Sequence, residues 1–468
     1  MNDARDLTTH PWFFCGIGGS GMLPLALILK GHGARIGGSD RSRDQGRSAD
    51  KFAWLKSLGF ELFPQDGSGI TSREQVLVAS AAVEDTVPEV LRARELGCTR
   101  MTRAELLATL FNAAPEGIAI GGTSGKSTVT GMTGWIMTAA GRDPTIMNGA
   151  VMKNFVREDA PSPARVGQGS AFVSEVDESD GSIALYRPKV AVLGNVSLDH
   201  KSLEELRQLF GDFLARAEVC ALNLDDAETS ALAAKAQAFI SFGITSSEAE
   251  IGATDIVEGP TSLTATIVDK RDGGSCAHAQ GSGRHNLYNA LAAIAAANAA
   301  GVSIADAVAA LTSFEGLARR FDVIGTSAAG TVVIDDFGHN PDKVSATLAT
   351  LRAHPGRIIA FFQPHGYGPL RQMGAELAEV FATRLGTDDV TILCDPVYFG
   401  GTVDRTHGSE RIVRLIESHG GTAEYIPSRD DCAARIAQIA RPGDRVVVMG
   451  ARDDTLTIFA RDLLAALD

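Results

Sequence analysis

GIAIGGTSGKSTVTGM, residues 117–132, decides how this chain is read. An apolar, β-like run (Gly117 to Ile120) enters a tight Gly/Thr/Ser turn, and Lys126 with Ser127 opens a helix. Such a turn aims several backbone N–H groups and a helix N-terminus at one point, which suits a phosphate. Lys126 is placed to reach the outer phosphates, and the Ser127 hydroxyl to sit on Mg²⁺. The long pattern G-x-x-x-x-G-K-[ST] would require Gly where Ile120 stands. The chain carries the shorter form Gly122-Thr123-Ser124-Gly125-Lys126-Ser127-Thr128 instead. A glycine-rich turn with an exposed lysine is the plainer alternative, and the order strand, turn, Lys, Ser argues against it.

Working outward, 468 residues suggest about three domains. Hydrophobic content of 44% with 21% charged residues is ordinary for a soluble globular chain. A net charge of −14 argues against a nucleic-acid backbone as partner, so anions must be held by local sites. The cysteines (Cys15, Cys98, Cys220, Cys276, Cys394, Cys432) are scattered without a C-x-x-C pair, as in a reducing compartment. The N-terminus MNDARDLTTHPW lacks the basic and apolar segments of a leader, and no apolar run reaches about 18 residues. A cytoplasmic protein without membrane contact is expected.

Upstream, WFFCGIGGSGMLPLALILKGHGARIGGSD (12–40) reads as strand, glycine turn, helix, strand. Gly16, Gly18 and Gly21 keep the G-x-G-x-x-G spacing, and Asp40 ends the second strand. This is a Rossmann-type turn able to hold any diphosphate, including a dinucleotide. QVLVASAAV (75–83) is a further strand and RAELLATLF (103–111) a helix. Downstream, REDAPSPARVGQGS (157–170) reads as a solvated loop, and GRHNLYNALAAIAAANAAG (283–301) as an Ala-rich helix closed by Gly301. From residue 314 onward strands alternate with helices at 341–353, 370–384, 409–419 and 429–440. That alternation predicts a doubly wound, largely parallel α/β sheet. The expected domains are 1–115, 116–316 and 317–468: two Rossmann-like sheets flanking a central P-loop-type ATPase sheet.

Two polar clusters follow strands in the central part, where open α/β sheets place ligands. One is Glu175, Asp177, Glu178 and Asp180 after AFVS; the other runs from Asn195 to His200 after VAVLG. A carboxylate and an imidazole beside a phosphate loop can hold Mg²⁺ together with nucleotide oxygens. Taken singly, the acidic turn also reads as a solvated loop, and His200 as the neighbour of a helix cap.

Taken together, these segments resemble the Mur ligases, ATP-dependent amide-forming enzymes of peptidoglycan precursor synthesis, and most closely their alanine-adding branch. E-V-D-E-S-D-G-S (175–182), N-V-S-L-D-H (195–200), GRHNLYNA (283–290), FEGLARRFD (314–322), DDFGHNPDKV (335–344) and FFQPHGYGPLR (361–371) follow in family order. The glycine turn GIGGSGM is similar to the family's UDP-sugar turn. The resemblance implies that Lys126 binds the β/γ-phosphates, while Ser127, Glu175 and His200 hold Mg²⁺. It implies Asn286 at the adenine with Asn289 in support, and Arg320 and Asp336 closing over the nucleotide. Gly16, Gly18, Gly19, Ser20, Gly21 and Asp40, with Ser80 nearby, would hold the UDP group. His339 is either the acceptor of the amine's proton or a structural histidine of its turn. The implied partners are UDP-N-acetylmuramate and an amino acid, L-alanine first, acted on by a monomer or homodimer.

Four departures bear on the amine. The loop has T-S-G-K-S-T where T-H-G-K-T-T is usual; Lys201-Ser202 follow Asp199-His200; Phe337 replaces a tyrosine; Gly366 and Pro369 interrupt F-Q-P-H-x-Y where an arginine is expected. Glycine, serine or a recycled peptide are therefore alternative amines. A folylpolyglutamate synthetase would lack the first glycine turn. A nicotinamide oxidoreductase would leave the phosphate loop idle, and a non-catalytic nucleotide-binding relative would not be expected to keep Lys126, Glu175 and His200.

Overall fold

The computed structural model describes residues 8–81, 83–156, 164–198, 201–259, 262–271, 277–281, 283–397, 405, 408–451, 453 and 455–468. The chain divides into two compact units: 1–257 with 263–316, and 317–468 with 258–262.

The first unit contains two sheets. Strands β1 (Trp12–Cys15), β2 (Ile36–Ser39), β3 (Glu61–Phe63), β4 (Val76–Ala79) and β5 (Thr99–Thr102) pair in the order β3-β2-β1-β4-β5, all parallel. Helices α1 (Met22–Gly31), α2 (Arg41–Asp44), α3 (Ala49–Ser57), α4 (Pro88–Leu96) and α5 (Arg103–Ala113) connect and cover them. Parallel neighbours need such crossovers, and a central strand buried on both faces is apolar throughout, as WFFC is.

The second sheet has ten strands: β6 (Glu116–Gly121), β7 (Thr145–Met147), β8 (Ala164–Arg165), β9 (Ala171–Glu175), β10 (Val190–Leu193), β11 (Val219–Asn223), β12 (Phe239–Phe242), β13 (Ile251–Glu258), β14 (Leu263–Asp269) and β15 (Ala277–Gly281). Their order is β15-β14-β13-β12-β11-β10-β6-β9-β7-β8, so β6, which enters the phosphate loop, lies near the middle. Helices α6 (Lys126–Ala139), α7 (Leu203–Ala215), α8 (Ala227–Leu232), α9 (Arg284–Ala299) and α10 (Ile304–Leu311) accompany it. The Ala-rich α9 is buried from Ala290 to Ala297 and packs on both α6 and β11, with six alanines alongside Leu291 and Ile294 in that span.

One apolar core serves both sheets. Phe111 at the end of α5 stacks edge-on to Tyr186 (5.1 Å) and Phe172 (5.7 Å) of the second sheet's surroundings. Gly117 is required opposite it, because a Cβ there would lie 2.7 Å from the Phe111 ring. The stretch 157–170, expected as solvated loop, differs in its described part. Ala164–Arg165 forms β8 against β7, and Arg165 pairs with Asp143 at 2.5 Å.

In the second unit β16 (Asp322–Thr326), β17 (Val332–Asp336), β18 (Ile358–Gln363), β19 (Val390–Leu393), β20 (Ala423–Tyr425) and β21 (Arg445–Gly450) pair in the order β16-β17-β21-β18-β19-β20. All neighbours are parallel except β16 and β17. Helices α11 (Pro341–Arg352), α12 (Tyr367–Arg384), α13 (Ser409–Ser418) and α14 (Arg429–Ile439) lie where the alternation predicts them, and α15 (Leu456–Ala466) is a further helix that the sequence reading did not include. Helix α12 begins three residues earlier than expected, since Pro369 falls in its first turn, where proline is tolerated. Among the described residues no helix is long and apolar enough to cross a membrane.

Candidate active site

The phosphate loop leaves the C-terminal end of β6 and is shaped by two glycines, Gly122 (φ 126°) and Gly125 (φ 81°). Gly125 caps α6 in the left-handed region, and a Cβ on it would lie 2.5 Å from Asn289 Oδ1. A side chain there would meet both backbone strain and a clash. From the end of β10, Asn195 holds the loop. Its Oδ1 accepts from Ser124 N (2.9 Å) and Thr123 Oγ1 (2.8 Å), and its Nδ2 donates to Ser124 O (3.0 Å). Asn286 and Asn289, joined by a 3.1 Å hydrogen bond, stand at the start of α9 beside the same loop.

Each of the two side chains that open α6 meets a carboxylate. Ser127 Oγ donates to Glu175 Oε2 at 2.7 Å. Lys126 Nζ donates to Gly122 O (2.8 Å) and to both oxygens of Glu178 (2.7 and 3.0 Å). The strand register explains the meeting, for β9 runs parallel to β6 with Ile120 opposite Glu175, so the two strands end side by side. Asp177 and Asp180 serve the turn itself, accepting the amides of Ser179 and Ser182 at 2.8 Å each. The Asp177 carboxyl is pushed up by burial, but hydrogen bonds from Ser179 and the charge of Lys126 outweigh this and leave it below the usual range. His200, and with it the third expected metal ligand, lies outside the described residues.

The glycine turn of the first sheet faces this loop. Gly16 (φ 76°) and Ile17 donate their amides to Ser39 O at 2.8 and 3.0 Å. Gly18 donates to Asp40 Oδ2 at 2.8 Å, and a Cβ on Gly18 would collide with that oxygen and with the Phe52 ring. The other oxygen of Asp40 caps α2 through Ser42 N. Asp40 thus fixes the turn from behind. The first turn of α1 is apolar and its cap is Gly21, so the helix supplies no carboxylate of its own to offset its positive end.

A cleft of about 630 Å³ joins the two halves. One wall is Gly16, Gly19, Ser20, Gly21 and Ser80; the other is Lys126, Glu175 and Asp177. Among the lining residues that the sequence reading missed, three bear directly on the site. Arg103, at the start of α5, lies against Gly21; Asn148 Nδ2 donates to Ser127 O (3.0 Å); Gly149 abuts the Glu175 carboxylate so closely that a Cβ would overlap it. None carries a local motif: each is recruited by packing between distant segments.

In the second unit, Arg319 and Arg320 lie on the Phe337 ring, each guanidinium carbon 5.1 Å from its centroid. Arg319 is buried and bonded to Asp335, Gly450 O and Asp453 O, whereas Arg320 is half-exposed. Asp336 accepts from Phe321 N, Gly338 N and Thr347 Oγ1, all at 2.8 Å. Burial pushes the Asp335 carboxyl up, and Arg319 partly restores it. His339 Nδ1 lies 2.9 Å from Phe337 O; a carbonyl only accepts, so Nδ1 carries the proton and Nε2 is the basic nitrogen. Gly366 caps α12 at φ 142°, a conformation that an arginine at this position would hold only under strain.

Three family models match the chain in succession: "Mur ligase family, catalytic domain" over 13–114, "Mur ligase middle domain" over 120–297, and "Mur ligase, glutamate ligase domain" over 319–452. The UDP-N-acetylmuramate–L-alanine ligase of Agrobacterium fabrum is 36% identical over 94% of each chain. That of a Synechococcus strain is 33% identical over 98% of this chain and 93% of its own. Among solved structures, the UDP-N-acetylmuramate–alanine ligase of Thermotoga maritima superposes with a TM-score of 0.76 at 23% identity, covering 97% of this chain and 98% of that one. The murein peptide ligase of Psychrobacter arcticus gives 0.68 at 23% identity over 98% of both. These two likenesses speak for the fold.

Proposed function

This chain belongs to the Mur ligase family, and we propose that it joins the carboxylate of UDP-N-acetylmuramate to the amine of an amino acid, L-alanine first among them. It is an ATP-dependent ligase. The observation that carries the proposed substrate is the cleft in which the uncapped glycine turn and Lys126 face one another. A UDP-sugar bound at the turn would extend its carboxylate toward the outer phosphates of an ATP on the loop.

A carboxylate resists amine attack because oxide is a poor leaving group. Phosphorylation gives an acyl phosphate, from which phosphate departs. That transfer relies on positioning and charge more than on a protein nucleophile. We assign Lys126 to the transferring phosphoryl group, Gly122 to Thr128 to the triphosphate, and Asn286 and Asn289 to the adenine side. Gly16, Gly18 to Gly21, Asp40 and Ser80 go to the UDP-sugar, Asp40 through its hold on the turn. Arg320 and Asp336 are assigned to the nucleotide, and His339 Nε2 to the proton of the attacking amine. The corresponding regions are 1–115, 116–316 and 317–468.

Ser127 and Glu175 offer hard oxygen donors 2.7 Å apart, a fit for adjacent positions around Mg²⁺, with His200 as the third ligand the resemblance implies. The ion would offset charge on the triphosphate. We place the enzyme in the cytoplasm, as monomer or homodimer, without nucleic-acid or membrane partners.

The test is phosphate release from ATP with UDP-N-acetylmuramate present and single amino acids supplied in turn. L-Alanine should give the fastest release. Release that needs glycine, serine or a peptide would move the assignment to that amine, and none with any amine would sink it.

A further inference from the structure

Lys126 is fully committed. An ammonium has three N–H donors, and here they meet Gly122 O and the two oxygens of Glu178. Glu178 is 5% exposed, so the pair is shielded from water on its acidic side. A phosphate can reach Lys126 only by replacing one of these partners. Ser127 is likewise engaged by Glu175, so both phosphate-facing side chains of the loop hold a carboxylate.

This arrangement penalises a bare triphosphate twice. It must take Lys126 from an acceptor of its own charge type, and it must enter beside Glu175, Asp177 and Glu178, whose repulsion is strong where water is scarce. A divalent cation removes both penalties, since it offsets charge on the triphosphate and on the carboxylates together.

We propose that Glu178 makes nucleotide binding conditional on a divalent cation, holding Lys126 until a cation-bound triphosphate replaces it. Glu178 is a positioning residue acting through Lys126. This role deepens the reading of the loop as the ATP site and rests on it.

The experiment is equilibrium binding of the β,γ-imido analogue of ATP to the full chain, with excess Mg²⁺ and with EDTA, for wild type and Glu178→Gln. Wild-type affinity should fall by about 100-fold or more when Mg²⁺ is removed. In Glu178→Gln the fall should shrink to about 10-fold or less, because metal-free affinity rises by the scale of one charge-assisted hydrogen bond. A loss from mere structural damage lowers both affinities and leaves their ratio unchanged. Should Glu178→Gln not fold, Glu178→Asp, which shortens the side chain by one methylene, is expected to give an intermediate ratio. A folded variant with the wild-type ratio overturns the role of Glu178. A wild type that does not bind the analogue even with Mg²⁺ overturns the ATP reading of the loop and this role with it.

Discussion

Ser127 donates its hydroxyl to Glu175 across 2.7 Å, linking the first turn of the phosphate-loop helix to the end of a neighbouring strand. The bond spans 48 residues of sequence and lies beside the Lys126–Glu178 pair, which spans 52. Together they gather the loop's cation, its hydroxyl and two carboxylates at one place, where Lys126 and Glu175 line the cleft.

Lys126→Ala and Glu175→Ala should each lower kcat by ~10³-fold or more while leaving the fold intact, the scale of removing a major electrostatic contact to a phosphoryl transition state. Steady-state phosphate release and a thermal melt check this. Near-normal turnover in a folded Lys126→Ala protein would remove the loop from the mechanism.

Gly149→Ala should act through Glu175. The added methyl group would overlap that carboxylate and force it away from Ser127. A displacement of about 1 Å in such a site costs about 10²-fold in rate. The expected result is a kcat loss of that order, with nucleotide affinity much less affected and UDP-sugar affinity unchanged. Full activity would mean that the Glu175 position is not critical.

Phe337 supports Arg320 by stacking, and Arg319 lies on the same ring. Cation–π contacts of this kind contribute roughly 0.5–1 kcal/mol at exposed sites and more when desolvated. Phe337→Leu should therefore lower kcat/KM for ATP by about 3- to 10-fold, and Phe337→Tyr should retain it. Kinetics with ATP varied at saturating UDP-sugar separate the two outcomes; equal losses would show that the ring's stacking is not what matters.

Acid stability should depend on Asp225. Burial raises its pKa, but amides of Thr245 and Ile244 and the Tyr288 hydroxyl outweigh this and hold it at about 2. A depressed carboxyl stabilises the fold above its unfolded pKa, ~3.9, and loses that contribution as pH falls toward the folded value. Urea midpoints should thus drop between about pH 4 and pH 2 in the wild type. Asp225→Asn should be less stable at pH 5 and show a shallower decline; parallel curves would count against the assignment.

What the sequence determined by itself is local. The strand–glycine–Lys–Ser turn, the first glycine turn and the strand–helix alternation are contiguous, and their backbone geometry follows from residue type at fixed short spacing. The order of motifs was enough to reach the family and its three sheets. The sequence could not divide the labour within E-V-D-E-S-D, because four carboxylates in one turn look alike until their neighbours are known. The parallel register of β9 against β6 decided it, sending Glu175 to Ser127 and Glu178 to Lys126 and leaving Asp177 and Asp180 to cap their own turn. Likewise, only packing sorted Arg319 from Arg320 and brought Arg103, Asn148 and Gly149 to the cleft. Such contacts join segments far apart in sequence, and side-chain direction across them is fixed by strand pairing and core packing rather than by any short motif.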